Sequence, residues 1–138
     1  MYKHYLTILA VGAFIVNKKG EILLVKKSST HTVDANLWTI PGGKVELNEP
    51  IIDALKREVK EEVGLTVKTY RWFDEHVFES QGFVYHAQHF ICTVSDPVTI
   101  LLEPLLLDYA FITKDKISSF ELNPRVAKRI NEVFTNHL

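Results

Sequence analysis

Three glutamates, Glu58, Glu61 and Glu62, lie close together near the middle of the chain. Their spacing of i, i+3 and i+4 would bring three carboxylates onto about one turn of a helix. Like charges at this spacing destabilise a helix by roughly 0.2–0.5 kcal/mol per pair, so the arrangement favours a cation held among them. Mg²⁺ prefers oxygen ligands and is typically bound by one or two carboxylates together with substrate phosphates. The segment therefore predicts a site for a divalent metal ion and a phosphate group.

The length and composition limit what else the chain can be. Its 138 residues suit one domain, assigned to 1–138, and 46% of them are hydrophobic, which is ordinary for a globular protein. The formal net charge of −1 argues against a nucleic-acid partner, because binding to the nucleic-acid backbone needs a basic surface. The single cysteine, Cys92, excludes an internal disulfide and a thiolate zinc cluster. A cytoplasmic location is expected from this composition.

Apolar runs at 6–16 and 21–27 are separated by the turn-forming segment 17–20. The first run is too short to span a bilayer and leads directly into the second, so it predicts a buried strand and no membrane partner. Together the two runs predict a β-hairpin. A polar loop is predicted over 28–36, a short strand over 37–40, and further strands over 65–79, 83–94 and 105–113.

Two segments predict helices. The first begins at Pro50 as its first helical residue and ends at Gly64, which suits a helix C-terminus. Apolar side chains recur along it at four-residue spacing: Ile51, Leu55, Val59 and Val63. On a helical wheel the three glutamates border this core-facing stripe, so they are expected at the edge of a cleft. The second helix is predicted to begin at Asn123 and Pro124 and to end near 134.

The segment 43–65 resembles the Nudix box, G-x5-E-x7-R-E-U-x-E-E-x-G-U, in which U is a bulky aliphatic residue. Every specified position is filled: Gly43, Glu49, Arg57, Glu58, Val59, Glu61, Glu62, Gly64 and Leu65. A chance match somewhere in the chain is expected about once in a million. The resemblance implies an α+β protein with an α/β/α sandwich around a mixed β-sheet, and the order of predicted strands and helices agrees with it.

The resemblance also implies an activity. Nudix hydrolases cleave a nucleoside diphosphate linked to another moiety, by attack of water at phosphorus, with Mg²⁺ or Mn²⁺ as cofactor. In this chain Glu58, Glu61 and Glu62 would hold the metal, and the Gly42 carbonyl would complete its shell. Glu61 is favoured as the general base. Asp108 is an alternative from a later segment, where a strand-edge aspartate is the simpler interpretation.

Arg57 has two interpretations. The resemblance implies that it pairs with Glu49 and orients the acidic helix. From spacing alone, Asp53 and Glu61 each lie four residues away and would form ordinary pairs on a helix surface.

Lys27, Asn123 and Asp108 are candidates for substrate contacts, and each also has a structural explanation. Lys27 ends a strand at a position where relatives often carry a basic residue that faces phosphates. A lysine there would equally protect an exposed strand edge from pairing. Asn123 would either recognise a nucleobase through hydrogen bonds or serve only as the N-cap of the last helix. His86 and His89 are three residues apart on a strand and are expected to face opposite sides, which is the wrong spacing for a shared metal site.

The favoured function is a metal-dependent pyrophosphatase acting on a small nucleotide such as a nucleoside triphosphate. The alternatives are a Nudix-fold module that binds a nucleotide without cleaving it and a protein-interaction domain with a solvated acidic helix. No residue pattern outside the box indicates which nucleotide is the substrate or predicts an oligomeric state.

Overall fold

The computed structural model describes residues 4–30 and 34–138. Its strands are β1 (Thr7–Ile15), β2 (Ile22–Lys27), β3 (Trp38–Thr39), β4 (Gly42–Lys44), β5 (Val67–Ser80), β6 (Phe83–Val94) and β7 (Leu106–Ile112). The helices are α1 (Ile51–Val63) and α2 (Pro124–Asn136), and a 3-10 helix that the sequence did not predict covers Lys114–Ser119. Neither α-helix in the described ranges is both long and apolar enough to cross a membrane.

The strands form two sheets. The first has the order β4-β1-β6-β5, in which β1 and β6 are parallel and the other pairs are antiparallel. The second has the order β3-β2-β7 and is antiparallel throughout. The first sheet is therefore mixed, as predicted, and its parallel pair places β1 along most of β6, from Thr7 opposite Val84 to Ile15 opposite Cys92.

The predicted hairpin between the first two strands is wrong. β1 and β2 belong to different sheets, and only a single bridge, between Val16 and Ile22, joins their ends. The intervening turn does form, with Gly20 N donating to Asn17 O at 3.0 Å. The second half of β1 and the first four residues of β2 are buried on both faces, and each strand pairs with other strands.

The two helices cover opposite faces of the strands. In β2, Leu23 and Val25 pack into a core cluster with α1, whereas Ile22 and Leu24 pack into a second cluster with α2. Because neighbouring residues of a strand point to opposite faces, this alternation places the strands between the helices. The α/β/α arrangement expected from the sequence is confirmed.

The ends of α1 explain where its glutamates lie. Pro50 occupies the position before the first helical residue, one residue earlier in the helix than predicted. Gly64 ends the helix with a left-handed backbone, φ 74°, as predicted. Between them Leu55, Val59 and Val63 are fully buried, which fixes the rotation of the helix about its axis.

The predicted loop over 28–36 is only partly described. Residues 31–33 lie outside the described residues, and the described residues on either side form turns and bends without regular structure.

Candidate active site

Two glycines of β4 allow the sheet to approach the acidic face of α1. A methyl group added at Gly43 would lie 2.4 Å from Glu58 Cδ, and one added at Gly42 would lie 2.1 Å from the backbone oxygen of Val11. Gly42 N donates a hydrogen bond to Glu62 Oε2 at 3.0 Å. A larger residue at Gly43 would displace the Glu58 carboxylate, whereas one at Gly42 would collide with the backbone of β1.

The environment of two of the three glutamates favours a bound cation. Burial raises the pKa of Glu62 to about 8, against a lowering contribution from the N–H of Gly42. Burial also raises the pKa of Glu58, whose side chain is 14% exposed. The neighbouring acids raise both values further. A positive ion at this position would remove the cost of ionising both carboxylates.

Arg57 is the centre of a network of charged hydrogen bonds. Its guanidinium contacts Glu49 through two bonds, Nε to Oε2 at 2.7 Å and Nη2 to Oε1 at 2.9 Å. Nη1 also donates to Glu58 at 2.9 Å and to Glu61 at 3.1 Å, and Nη2 donates to the backbone oxygen of Lys44 at 3.0 Å. The hydrogen bonds from Arg57 lower the pKa of Glu49 to about 2. The bidentate pair ties the loop before α1 to the acidic face of the helix.

Both interpretations of Arg57 are therefore partly right. The Glu49 pair implied by the resemblance is present, and so is the helix-surface pair with Glu61. Asp53 does not contact the guanidinium within the described part of the chain.

The residues fit a hard divalent ion by chemistry, although their side chains do not converge as they stand. In the described ranges no group of three or more histidine, cysteine, aspartate or glutamate residues is arranged to hold a metal. The cause is visible in the geometry, since Arg57 Nη1 lies between Glu58 and Glu61 and binds both. Glu58 and Glu61 would supply carboxylate oxygens to a divalent ion, and the bidentate contact to Glu49 holds the guanidinium beside them.

Sequence reasoning missed a fourth carboxylate, that of Glu103. Its charge raises the pKa of both Glu58 and Glu62, and its backbone N–H donates to the Glu62 carbonyl oxygen at 3.0 Å. Glu103 precedes β7 and is half-buried. The available signal was its position as the only charged residue in the apolar run 100–107.

A cavity of about 210 Å³ extends from the acidic site towards the beginning of α2. At one end it is lined by Gly42, Gly43, Glu62 and the strand lysine Lys27. The rest of its wall is formed by residues from β1, β2, β5, β6 and α2, among them Gly12, Asp34, Ile40, Phe78, Tyr85, Ala87, His89, Asn123 and Arg125. The volume is below the roughly 300–1,000 Å³ of a pocket for a whole drug-sized ligand, so it suits one moiety of a larger molecule.

The matching family model is that of the NUDIX domain, and it covers residues 6–133. The chain belongs to the Nudix family. It is similar to the MutT protein of Methanosarcina mazei Go1, with a TM-score of 0.80 and 28% identity over 96% of each chain. It also has the fold of the ORF135 protein of Escherichia coli, with a TM-score of 0.75, 24% identity, and 96% of this chain and 94% of that one covered.

Curated relatives match over shorter segments. The chain is 44% identical to an 8-oxo-dGTP diphosphatase of Buchnera aphidicola over 43% of its own length and 45% of that protein. It is 35% identical to a CTP pyrophosphohydrolase of Escherichia coli over 56% of its length and 57% of that protein. It is also 40% identical to Nudix hydrolase 5 of Arabidopsis thaliana over 41% of its length and 19% of that protein. The matched segments thus cover well under two thirds of each relative.

Within this Nudix domain, three predicted substrate residues have different positions. Lys27 lies on the cavity wall near Glu62, and its charge lowers the pKa of that carboxyl. Asn123 also lies on the wall and caps α2, because its Oδ1 accepts from Arg125 N at 2.7 Å and Val126 N at 3.3 Å. Asp108 is exposed on β7 and accepts a hydrogen bond from the next backbone N–H, away from the cavity lining.

The two histidines of β6 pair with different carboxylates. His86 Nε2 lies 2.9 Å from Glu75 Oε2, and His89 Nδ1 lies 2.7 Å from Asp74 Oδ1. They do not share a metal site, as expected. His89 nevertheless lines the cavity, which the sequence did not indicate because its partner is fifteen residues away on another strand.

Proposed function

We propose that this Nudix domain hydrolyses a phosphoanhydride bond in a small nucleotide derivative, with Mg²⁺ or Mn²⁺ as its cofactor. The observation that carries the proposal is the partly buried Glu62, hydrogen-bonded to the Gly42 N–H at the end of a cavity that continues to α2. A carboxylate held in this way would bind a metal ion and a phosphate at the mouth of a pocket for the rest of the nucleotide.

The metal would be held by Glu58, Glu61 and Glu62, with the Gly42 carbonyl and Glu103 as further oxygen donors. When bound, the ion offsets the charge of the phosphates and favours in-line displacement at phosphorus. The raised pKa values of Glu58 and Glu62 support this assignment, because two carboxyl groups that ionise reluctantly alone gain most from a cation.

Glu61 is proposed as the general base. Its side chain is 56% exposed, so a water molecule can reach its carboxylate. Arg57 and Glu49 are positioning residues, since the guanidinium connects the Glu49 loop to Glu58 and Glu61 through four hydrogen bonds shorter than 3.2 Å. Lys27 is proposed to face the phosphates.

The nucleoside part of the substrate is proposed to enter the cavity. Asn123 lies on its wall, but its carbonyl oxygen already caps α2, and its NH₂ group donates to Asp34 Oδ2. Asn123 therefore shapes this part of the wall, and its amide retains one N–H for a ligand.

The substrate is proposed to be a small nucleotide such as a nucleoside triphosphate. The relatives are named for 8-oxo-dGTP, CTP and the mRNA cap, so family membership supports the class of nucleotide derivatives without selecting among them. One catalytic domain over 1–138, a cytoplasmic location and the absence of nucleic-acid and membrane partners stay predictions from the sequence.

The test is a panel of nucleoside triphosphates, nucleotide sugars and dinucleoside polyphosphates incubated with the protein and Mg²⁺. Products would be identified by ³¹P NMR and chromatography. Metal-dependent release of a nucleoside monophosphate from at least one compound is the expected result. Binding of a nucleotide without turnover under any metal condition would overturn the enzymatic assignment and favour a sensor module.

A further inference from the structure

A relay of three side chains, His89, Asp74 and Arg129, begins at the wall of the cavity and extends away from it. His89 is 9% exposed, and its Nδ1 lies 2.7 Å from Asp74 Oδ1. The other oxygen of Asp74 accepts from Arg129 Nε at 2.7 Å, and Arg129 Nη1 donates to the Arg125 carbonyl at 2.9 Å. The carboxylate is thus held from both sides, by a strand neighbour and by α2.

The relay fixes which nitrogen of His89 carries the proton. Burial lowers the pKa of His89, so the imidazole is neutral near pH 7. A carboxylate can only accept hydrogen bonds, and the other oxygen of Asp74 already accepts one from Arg129 Nε. The proton therefore lies on Nδ1, and Nε2 carries a lone pair.

That lone pair faces the cavity. His89 lines it, and Nε2 has no hydrogen-bond partner within the described part of the chain. Every fully buried side-chain nitrogen or oxygen among these residues does have a partner. Nε2 is therefore in contact with accessible space, and the neighbouring ring atom Cδ2 lies 3.1 Å from a Cβ built at Gly12, which also lines the cavity.

The surrounding wall is suited to a flat group with a hydrogen-bond donor. Phe78 and Tyr85 stack with ring centroids 5.1 Å apart and planes 5° apart, and the Arg125 guanidinium lies 4.1 Å from the Phe78 centroid. Asp34, whose Oδ2 accepts from Arg125 and Asn123, adds a second acceptor side chain. Aromatic walls with two acceptors complement a heterocycle that bears an amino group.

We propose that His89 Nε2 accepts a hydrogen bond from the exocyclic amino group of the substrate's nucleobase, and that Asp74 sets this specificity by fixing the histidine tautomer. The inference rests on the proposed function in that it names the nucleotide class of the same site. A base without an amino group would leave Nε2 desolvated and unpaired, which costs binding free energy.

Nucleoside monophosphates test this without interference from turnover, because they contain no phosphoanhydride bond. AMP, CMP and GMP would each be compared by calorimetric titration with the analogue in which hydrogen replaces the amino group. For wild type, at least one amino nucleotide should bind about three- to tenfold tighter than its analogue. His89→Leu should bring the two Kd values of that pair to within about twofold of each other.

Asp74→Asn gives a sharper outcome because it should reverse the tautomer. Arg129 can only donate, so the new amide oxygen would face Arg129 and the new NH₂ group would face Nδ1. Nδ1 then accepts, and the proton moves to Nε2, which becomes a donor. UMP has a carbonyl in place of the amino group of CMP. The variant should therefore bind UMP more tightly, relative to CMP, than wild type does. Histidine ¹⁵N chemical shifts would report the tautomer in the protein without nucleotide.

The pair of His86 and Glu75 supplies the matched control. It joins the same two strands at 2.9 Å but does not line the cavity. His86→Leu and Glu75→Gln should therefore leave the Kd ratios unchanged.

The inference is overturned if wild-type Nε2 is protonated at neutral pH, if no amino nucleotide is preferred, or if the preference survives both His89→Leu and Asp74→Asn. Hydrolysis with no preference for amino bases would overturn this inference alone. A preference for amino bases without hydrolysis would support it and overturn the enzymatic function.

Discussion

Two arginines hold carboxylates in similar geometry in two parts of the molecule. Arg57 Nε lies 2.7 Å from Glu49, and Arg129 Nε lies 2.7 Å from Asp74. The first pair spans eight positions of the chain and the second spans fifty-five. The Glu49 pair belongs to the acidic site, which we define as Glu58, Glu61 and Glu62 with Arg57. The Asp74 pair belongs to the histidine relay, which we define as His89, Asp74 and Arg129.

The surroundings of these arginines differ in what they can bind. The acidic site has a surplus of negative charge, and burial raises the pKa of two of its carboxyls, so it suits a cation. The histidine relay has its carboxylate neutralised by Arg129 and presents an uncharged acceptor. The comparison separates the two tasks that we propose for the molecule, cleaving phosphates at one site and selecting the base at the other.

The largest expected effect is loss of activity at the acidic site. Glu58→Gln and Glu62→Gln remove charge with little change in volume, so each should lower kcat by at least about a hundredfold, since even indirect metal contacts cost about 10–100-fold. Glu132→Gln, on the exposed face of α2, is the matched control. Steady-state kinetics at saturating Mg²⁺ would check this, and full activity in both variants would rule out the metal assignment.

A smaller effect is expected when Arg57 or Glu49 is removed. Arg57→Ala and Glu49→Ala should each lower kcat about 10–100-fold, and the double variant should cost much less than their sum because the pair acts as one unit. Asp53→Ala, at a residue outside the guanidinium network, should combine additively with Arg57→Ala. Additive effects for Arg57 and Glu49 would contradict the positioning role.

Gly42 and Gly43 are adjacent, but substitutions at the two positions should have different effects on activity and stability. Gly43→Ala would displace a side chain, the Glu58 carboxylate, so activity should fall about tenfold or more while stability changes by less than about 1 kcal/mol. Gly42→Ala would collide with the backbone of β1 and should chiefly lower the free energy of unfolding. Urea denaturation alongside kinetics separates these outcomes, and equal losses of stability would contradict the distinction.

The last effect concerns the stability of the metal-free protein as a function of pH. The pKa of Glu62 in the folded protein is about 8, above the ordinary 4.5. Its contribution to stability is therefore fully present below pH 4.5 and is lost as pH rises through 8. Relative to Glu62→Gln, wild type should lose at most about 1.4 kcal/mol of unfolding free energy per pH unit across that window. If wild type and Glu62→Gln show parallel curves of unfolding free energy against pH in the presence of EDTA, the pKa of Glu62 is not raised in the folded protein.

The same difference in chain separation explains what the sequence could predict. The glutamates, Arg57 and Glu49 lie within fourteen positions, so helix spacing and the box pattern together predicted their contacts. Glu103 and His89 contact their partners through a loop and a strand pairing. Glu103 is marked only as a single charge in an apolar run, and no local pattern indicates the role of His89. The hairpin failed for a related reason, because β1 prefers the long-range parallel pair with β6.

The division of tasks is tested most directly by one kinetic comparison. The kcat/KM values for an amino-bearing nucleoside triphosphate and its analogue without the amino group would be measured for wild type, Arg57→Ala, His89→Leu and the double variant. Arg57→Ala should lower both values equally and leave their ratio unchanged, while His89→Leu should bring the ratio close to one. The double variant should show both changes independently. A shift of the ratio by Arg57→Ala, or an equal loss on both nucleotides from His89→Leu, would contradict the separation of the two sites.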